Sequence, residues 1–163
     1  MSKTNIKLPL TDRLLEILGV AGTVLLILLP ILYINKLPDT IPVHFNLIGE
    51  PDGYGSRNSI WALPAIGFFL FITIIFIPKM LIHFSNTEFD NKEKRYRFLN
   101  AMRMVRIINM LVVFMFVSIT YHTILVSLGS PAGLWNYSTL FFLLLIFVVS
   151  VVFLIKIKRK RNY

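Results

Sequence analysis

Residues 107–155 read IINMLVVFMFVSITYHTILVSLGSPAGLWNYSTLFFLLLIFVVSVVFLI, a stretch without one Asp, Glu, Lys or Arg. A helix crosses a hydrocarbon layer of about 30 Å with about 20 apolar residues, so this stretch is long enough to cross twice. Gly129-Ser130-Pro131-Ala132-Gly133 divides it, because Gly and Pro interrupt helices and favour turns. Helices are therefore expected over 106–128 and 137–156. Working outward, 58–78 and 17–35 are equally free of charge and predict helices over 59–80 and 14–34. The expected fold is all-α and integral to a membrane, one domain over 1–163 with four transmembrane helices.

The composition agrees. Of 163 residues, 56% are hydrophobic and 15% charged, against roughly 45–50% and about 25% in soluble domains. Phe occurs 14 times and the mean hydropathy is +0.72. A soluble fold of this size has too small an interior for that much apolar surface, and a disordered chain would have far less of it. The absence of Cys excludes a disulfide framework, a thiolate zinc site and a Cys nucleophile. Lys3, Lys7 and Arg13 precede the first apolar run in the manner of a signal peptide. That run exceeds the roughly 7–15 residues of such a segment and no small-x-small site follows Tyr33, so a retained helix is expected. Pro30, in its last third, predicts a kink.

Fifteen of the 17 Lys and Arg residues fall before the first span, between the second and third, or after the fourth. Lys36 and Arg57 are the other two. Basic residues accumulate on the cytoplasmic side. Both termini and the loop 81–105 are thus expected to be cytoplasmic, with 35–58 and the shorter 128–136 loop outside. The expected location is the cell membrane, multi-pass, and Trp61 and Trp135 would then sit at the outer interface. The formal charge of +9 would suggest nucleic acid in a soluble protein. Segregated by topology it points instead to anionic lipid head groups, chiefly at Lys156–Arg161. No nucleic-acid partner is expected. In the inner loop, Phe98, Met102 and Val105 recur at helical spacing and suggest an amphipathic turn leading into span three. Glu16 is expected to pair with an arginine of that region, and His83 to be interfacial.

The loop Asn35–Asn58, NKLPDTIPVHFNLIGEPDGYGSRN, carries most of the information. Loops longer than about 12–15 residues tend to be functional or disordered, and this one has apolar side chains that want burial. Ile41, Val43, Phe45 and Leu47 alternate with Thr40, Pro42, His44 and Asn46, a period of two that predicts a short extended segment. Glu50-Pro51-Asp52-Gly53-Tyr54-Gly55 reads as tight turns, with the glycines supplying positive φ. The result would be an ordered extracytoplasmic cap with one β-like segment.

Leu37-Pro38-Asp39, Ile41 to Asn46 (IPVHFN) and Gly49 to Ser56 (GEPDGYGS) together resemble the signature of a membrane domain of unknown function, family 1648. That domain forms the N-terminal part of the SdpI-type membrane proteins. His-Phe-Asn followed by Gly-x-Pro-Asp-Gly between two spans makes the likeness specific, and it covers about residues 14–80. The resemblance implies a polytopic protein that protects a producing cell against its own secreted peptide toxin and sequesters a transcriptional repressor at the membrane.

Candidate ligand-binding residues are His44, Asn46, Glu50, Asp52, Tyr54 and Arg57 in the loop and His122 in the third helix. Ser118 and His122 share a helix face, and an ionisable group within a span usually faces a bundle interior or a wet cavity. His122 and the His44 loop are expected at the same depth. Three roles compete. The loop's polar residues hydrogen-bond its own backbone and hold the cap shut; or cap and His122 form a recognition pocket for a peptide or a lipid head group; or His44, His122 and a carboxylate hold a divalent metal. With no i, i+4 His pair and no HExxH, neither metal nor other cofactor is expected. The Glu50–Trp61 stretch fails as a calcium loop at Tyr54 and Trp61, no nucleotide or hydrolase motif is present, and the Asn136-Tyr137-Ser138 sequon reads as accidental. The expected protein is no enzyme: it recognises an extracytoplasmic peptide or lipid through 35–58, with lipid or a cytosolic regulator at its basic inner face. A small transporter or channel subunit, or a membrane scaffold, is the alternative.

Overall fold

A computed structural model describes residues 9–84, 92–130 and 137–159. The turn through Pro131–Gly133, Trp135, the Asn136 sequon and the basic tail beyond Arg159 lie outside the described residues, as does the side chain of His83. Four helices and one hairpin make up the rest: α1 (Leu10–Tyr33), β1 (Thr40–Phe45), β2 (Pro51–Ser56), α2 (Ala62–Phe84), α3 (Lys92–Ser127) and α4 (Ser138–Arg159). Short 3-10 turns at Ile34–Lys36 and Arg57–Trp61 join the hairpin to α1 and α2.

Among the described residues three helical segments are long and apolar enough to cross a membrane: Leu10–Lys36, Tyr96–Ser127 and Ser138–Lys156. The apolar stretch Arg57–Thr73 is shorter, although α2 itself continues to Phe84. α1 runs on through Pro30, whose carbonyl accepts from the Ile34 N–H. α3 starts at Lys92, so much of the expected 81–105 loop is helical. The reason is local: no Gly or Pro interrupts Lys92–Ser127, and charged residues mark where a span leaves the lipid rather than where its helix begins.

α1 and α3 lie side by side and parallel. At one end Arg103 Nε donates to Asp12 Oδ1 at 2.8 Å, midway a Cβ on Gly22 would stand 2.9 Å from Val113, and at the far end Leu29 packs with Ile124. α2 runs antiparallel to both, since a Cβ on Gly67 would meet Leu26 and Phe116, and one on Gly19 would meet Phe71. Small residues let helix backbones approach closely in lipid, where dispersion rather than water exclusion holds helices together. α4 packs chiefly on α3 and leaves Leu140, Leu144, Phe147 and Leu154 exposed, an apolar surface suited to hydrocarbon.

Charge ties the first turns of α1 to α3. Asp12, only 2% exposed, lies 2.8 Å from Arg103 and 3.6 Å from Arg106, and Arg106 Nε donates to Glu16 at 3.0 Å. Glu16 does pair with an arginine, but with Arg106 of α3 rather than with Arg95 or Arg97 of the inner loop, the expected partners. Asp12 does not stand out in the sequence because it lies ahead of the charge-free run, where nothing local shows that two arginines from α3 will reach it.

Candidate functional site

The hairpin is built by its turn. Asn46 Oδ1 accepts from the N–H groups of Ile48 (3.0 Å) and Glu50 (2.9 Å), while Gly49 N–H donates to Asn46 O. Asn side chains commonly stand in for backbone acceptors in turns. Gly49 has φ 78°, a left-handed conformation that favours Gly. The turn therefore occupies Asn46–Glu50, and Pro51–Ser56 is a strand instead of the expected series of turns. Gly53 and Gly55 serve another purpose than positive φ: a Cβ on Gly53 would lie 3.0 Å from His44 Cβ, and one on Gly55 3.0 Å from Val43 Cγ1. They clear the way for β1 side chains. Asn46→Ala should remove the two hydrogen bonds accepted by Oδ1, of about 1 kcal/mol each, and the longer one that Nδ2 donates to Glu50. The expected result is faster amide hydrogen exchange at Ile48 and Glu50.

The antiparallel register pairs Thr40 with Ser56 and Pro42 with Tyr54, then shifts, so that His44 pairs with Gly53 and Phe45 with Pro51. This bulge breaks the simple alternation expected from Ile41 to Leu47. Ile41 and Pro42 are both buried, while Val43 is exposed. Leu47, in the turn, is 93% exposed. Ile41, Leu37 and Ile60 join Leu29 and Ile124 in one buried cluster that seats the hairpin on α1 and α3. Arg57 closes its base: its N–H donates to Asp39 O at 2.8 Å, its guanidinium to Leu37 O at 3.3 Å, and it pairs with the Asp39 carboxylate at 3.4 Å.

The candidate residues thus divide. Asn46, Glu50 and Arg57 hold the loop in shape, Glu50 accepting from Asn46 Nδ2 at 3.4 Å. His44 pairs with the Asp52 carboxylate on the exposed side of the hairpin. Tyr54 is exposed. His122 is 4% exposed and buried on α3, where the ring of Phe45 stacks on it with centroids 4.5 Å apart. His44, Asn46 and His122 nevertheless border one cavity of about 260 Å³ between hairpin, α3 and α4; Phe45, Ile119, Thr139, Leu140 and Leu143 line it as well. Glu50, Asp52, Tyr54 and Arg57 are not among its lining residues. Among the described residues no three His, Asp or Glu side chains converge on a point where a metal ion would sit.

Residues missed by sequence reasoning are the apolar ones. Ile119 and His122, three apart, and Leu140 and Leu143, likewise three apart, face the same space, as helical periodicity allows. Only the folded chain shows that Phe45, not His44, is the residue that reaches His122.

Residues 21–68 match DUF1648, a domain of unknown function. The DUF1648 segment spans the C-terminal half of α1, the whole hairpin and the start of α2. The chain is also similar to a protein of Archaeoglobus fulgidus described as "Uncharacterized protein", 40% identical over 74 residues. That match takes in 44% of this chain and 40% of the relative, so less than half of the relative's length is spanned. No solved structure matches.

Proposed function

We propose that this is a four-span protein of the cell membrane, both termini cytoplasmic, that recognises an extracytoplasmic ligand, peptide or lipid, in the cavity roofed by the DUF1648 hairpin. The role is binding or signalling, in the manner of SdpI-type immunity, without catalysis. The observation that carries the reading is the roofed cavity itself: a folded hairpin is seated over a space bordered by the buried His122 and by apolar side chains of two helices. Apolar walls with a few polar groups are the usual chemistry of a ligand site. A channel through one protomer would need a polar face along a helix. The described polar side chains of α1 beyond Glu16, and those of α4, instead include Thr23 and Ser150 bonded to their own helix carbonyls, at Gly19 and Ile146.

Anything that binds the folded state raises its unfolding midpoint. Hexadecanol and an amphipathic Leu/Lys peptide, titrated separately into detergent-solubilised protein, serve as probes of the two ligand classes. At least one is expected to raise the midpoint with concentration, and Leu143→Trp, which fills the cavity mouth, is expected to abolish the rise. No shift from either probe overturns the recognition reading. Orientation is checked independently. Leu47→Cys should react with an impermeant maleimide in intact cells and Lys94→Cys only after permeabilisation; the reverse pattern overturns the proposed topology.

A further inference from the structure

A second cavity, of about 290 Å³, lies on the α2 side of the same hairpin, walled by Pro42, Ser59, Leu63, Thr120 and Thr123 among others. Val43, Phe45 and Ile119 wall both cavities. The Phe45 ring, leaning on His122, is therefore a partition between two chambers under one roof. Each chamber alone falls just short of the roughly 300–1,000 Å³ of an ordinary small-molecule site, and only jointly do they enter that range.

Three features say what would fit. Thr120 is 1% exposed, and its Oγ1 makes no hydrogen bond among the described residues; a buried hydroxyl left without a partner is costly, and a ligand hydroxyl would remove that cost. His44 is engaged by Asp52, and among the described residues no Lys, Arg, Asp or Glu lines either chamber, so a charged head group finds no counter-ion there. Leu140 and Leu143 border the first chamber and are at the same time more than half exposed on α4. The chamber wall is thus continuous with the surface that meets hydrocarbon.

We infer that the two chambers form one site for a single-chain lipid with an uncharged hydroxyl head, entering sideways from the bilayer past Leu140 and Leu143, with Phe45 swinging aside as the chain passes. This rests on the recognition reading above and narrows its ligand to a lipid. The test uses the full chain in phosphatidylcholine vesicles with a diazirine-bearing hexadecanol, crosslinks being mapped by mass spectrometry. Labelling at Ile119, Thr120 and Leu143 is expected to saturate and to fall about tenfold under an excess of unlabelled hexadecanol. Ile119→Trp, in the shared wall, should lower it equally; Leu143→Trp, at the exposed rim, gives the same readout should the first variant not fold. Labelling that does not saturate, or that only equals labelling of the lipid-facing Leu144, overturns the inference. Should hexadecanol fail while the Leu/Lys peptide still raises the unfolding midpoint, the lipid is wrong and recognition stands. Should both fail, both fall.

Discussion

Asp12→Ala is expected to lower the stability of the folded helix bundle by about 3 kcal/mol, read as a shift in SDS-induced unfolding from mixed micelles. Removing one member of a buried ion pair costs about 3–5 kcal/mol, because the remaining charge is left without compensation. The lower end applies here, since the Arg103 side chain is 38% exposed and retains water. Arg106 keeps Glu16 at 3.0 Å, so the loss falls mainly on Arg103. The pair itself can be isolated by a double-mutant cycle. Asp12→Ala combined with Arg103→Ala should be less destabilising than the sum of the two single changes by at least about 1 kcal/mol. Additive losses would mean that the carboxylate acts through packing alone.

Gly67→Leu should have an effect of similar size by an unrelated route. Even a bare Cβ at this position would lie 2.6 Å from Leu26 Cδ2 and 3.2 Å from Phe116 Cδ2, so a neighbouring side chain must shift. Leu26 is fully buried, so it has no open space into which to turn. Gly67→Ala gains about 1 kcal/mol of helix propensity against a packing cost of about 1–3 kcal/mol, leaving a net loss of about 1 kcal/mol. A leucine adds further bulk at the same point and should cost about 3 kcal/mol, at the upper end of that packing range, forcing α2 away from α1 and α3. Ile66→Trp, next along the helix but exposed, should change stability by less than about 0.5 kcal/mol in the same unfolding assay. Equal effects at the two positions would show that Gly67 is not a helix contact.

The long apolar helices are legible because crossing lipid leaves a one-dimensional record, runs of about 20 residues without charge, that needs no knowledge of neighbours. The hairpin is half legible. The period of two from Thr40 to Asn46 marks β1, but Pro51-Asp52-Gly53 has turn chemistry on paper and is a strand in the fold. Asn46 and Gly49 already make the turn, and the glycines of β2 answer to side chains across the ladder, which sequence spacing does not reveal. The same limit applies to the cavity. His44 and His122 stand out as rare polar residues in an apolar chain, whereas Phe45, Ile119 and Leu143 resemble dozens of others until helices bring them together. Asp12 shows the limit at its plainest, for its partner Arg103 is 91 positions away.

α3 is the one element that touches everything of interest: His122 and Ile119 at the cavity, Val113 and Phe114 against Gly22, Arg103 and Arg106 at the carboxylates of α1. A rigid rod carrying groups at both of its ends behaves as a shaft. Any shift of that shaft accompanying a guest under the hairpin would be felt at both guanidinium groups, so the cavity and the carboxylates of α1 share a single carrier.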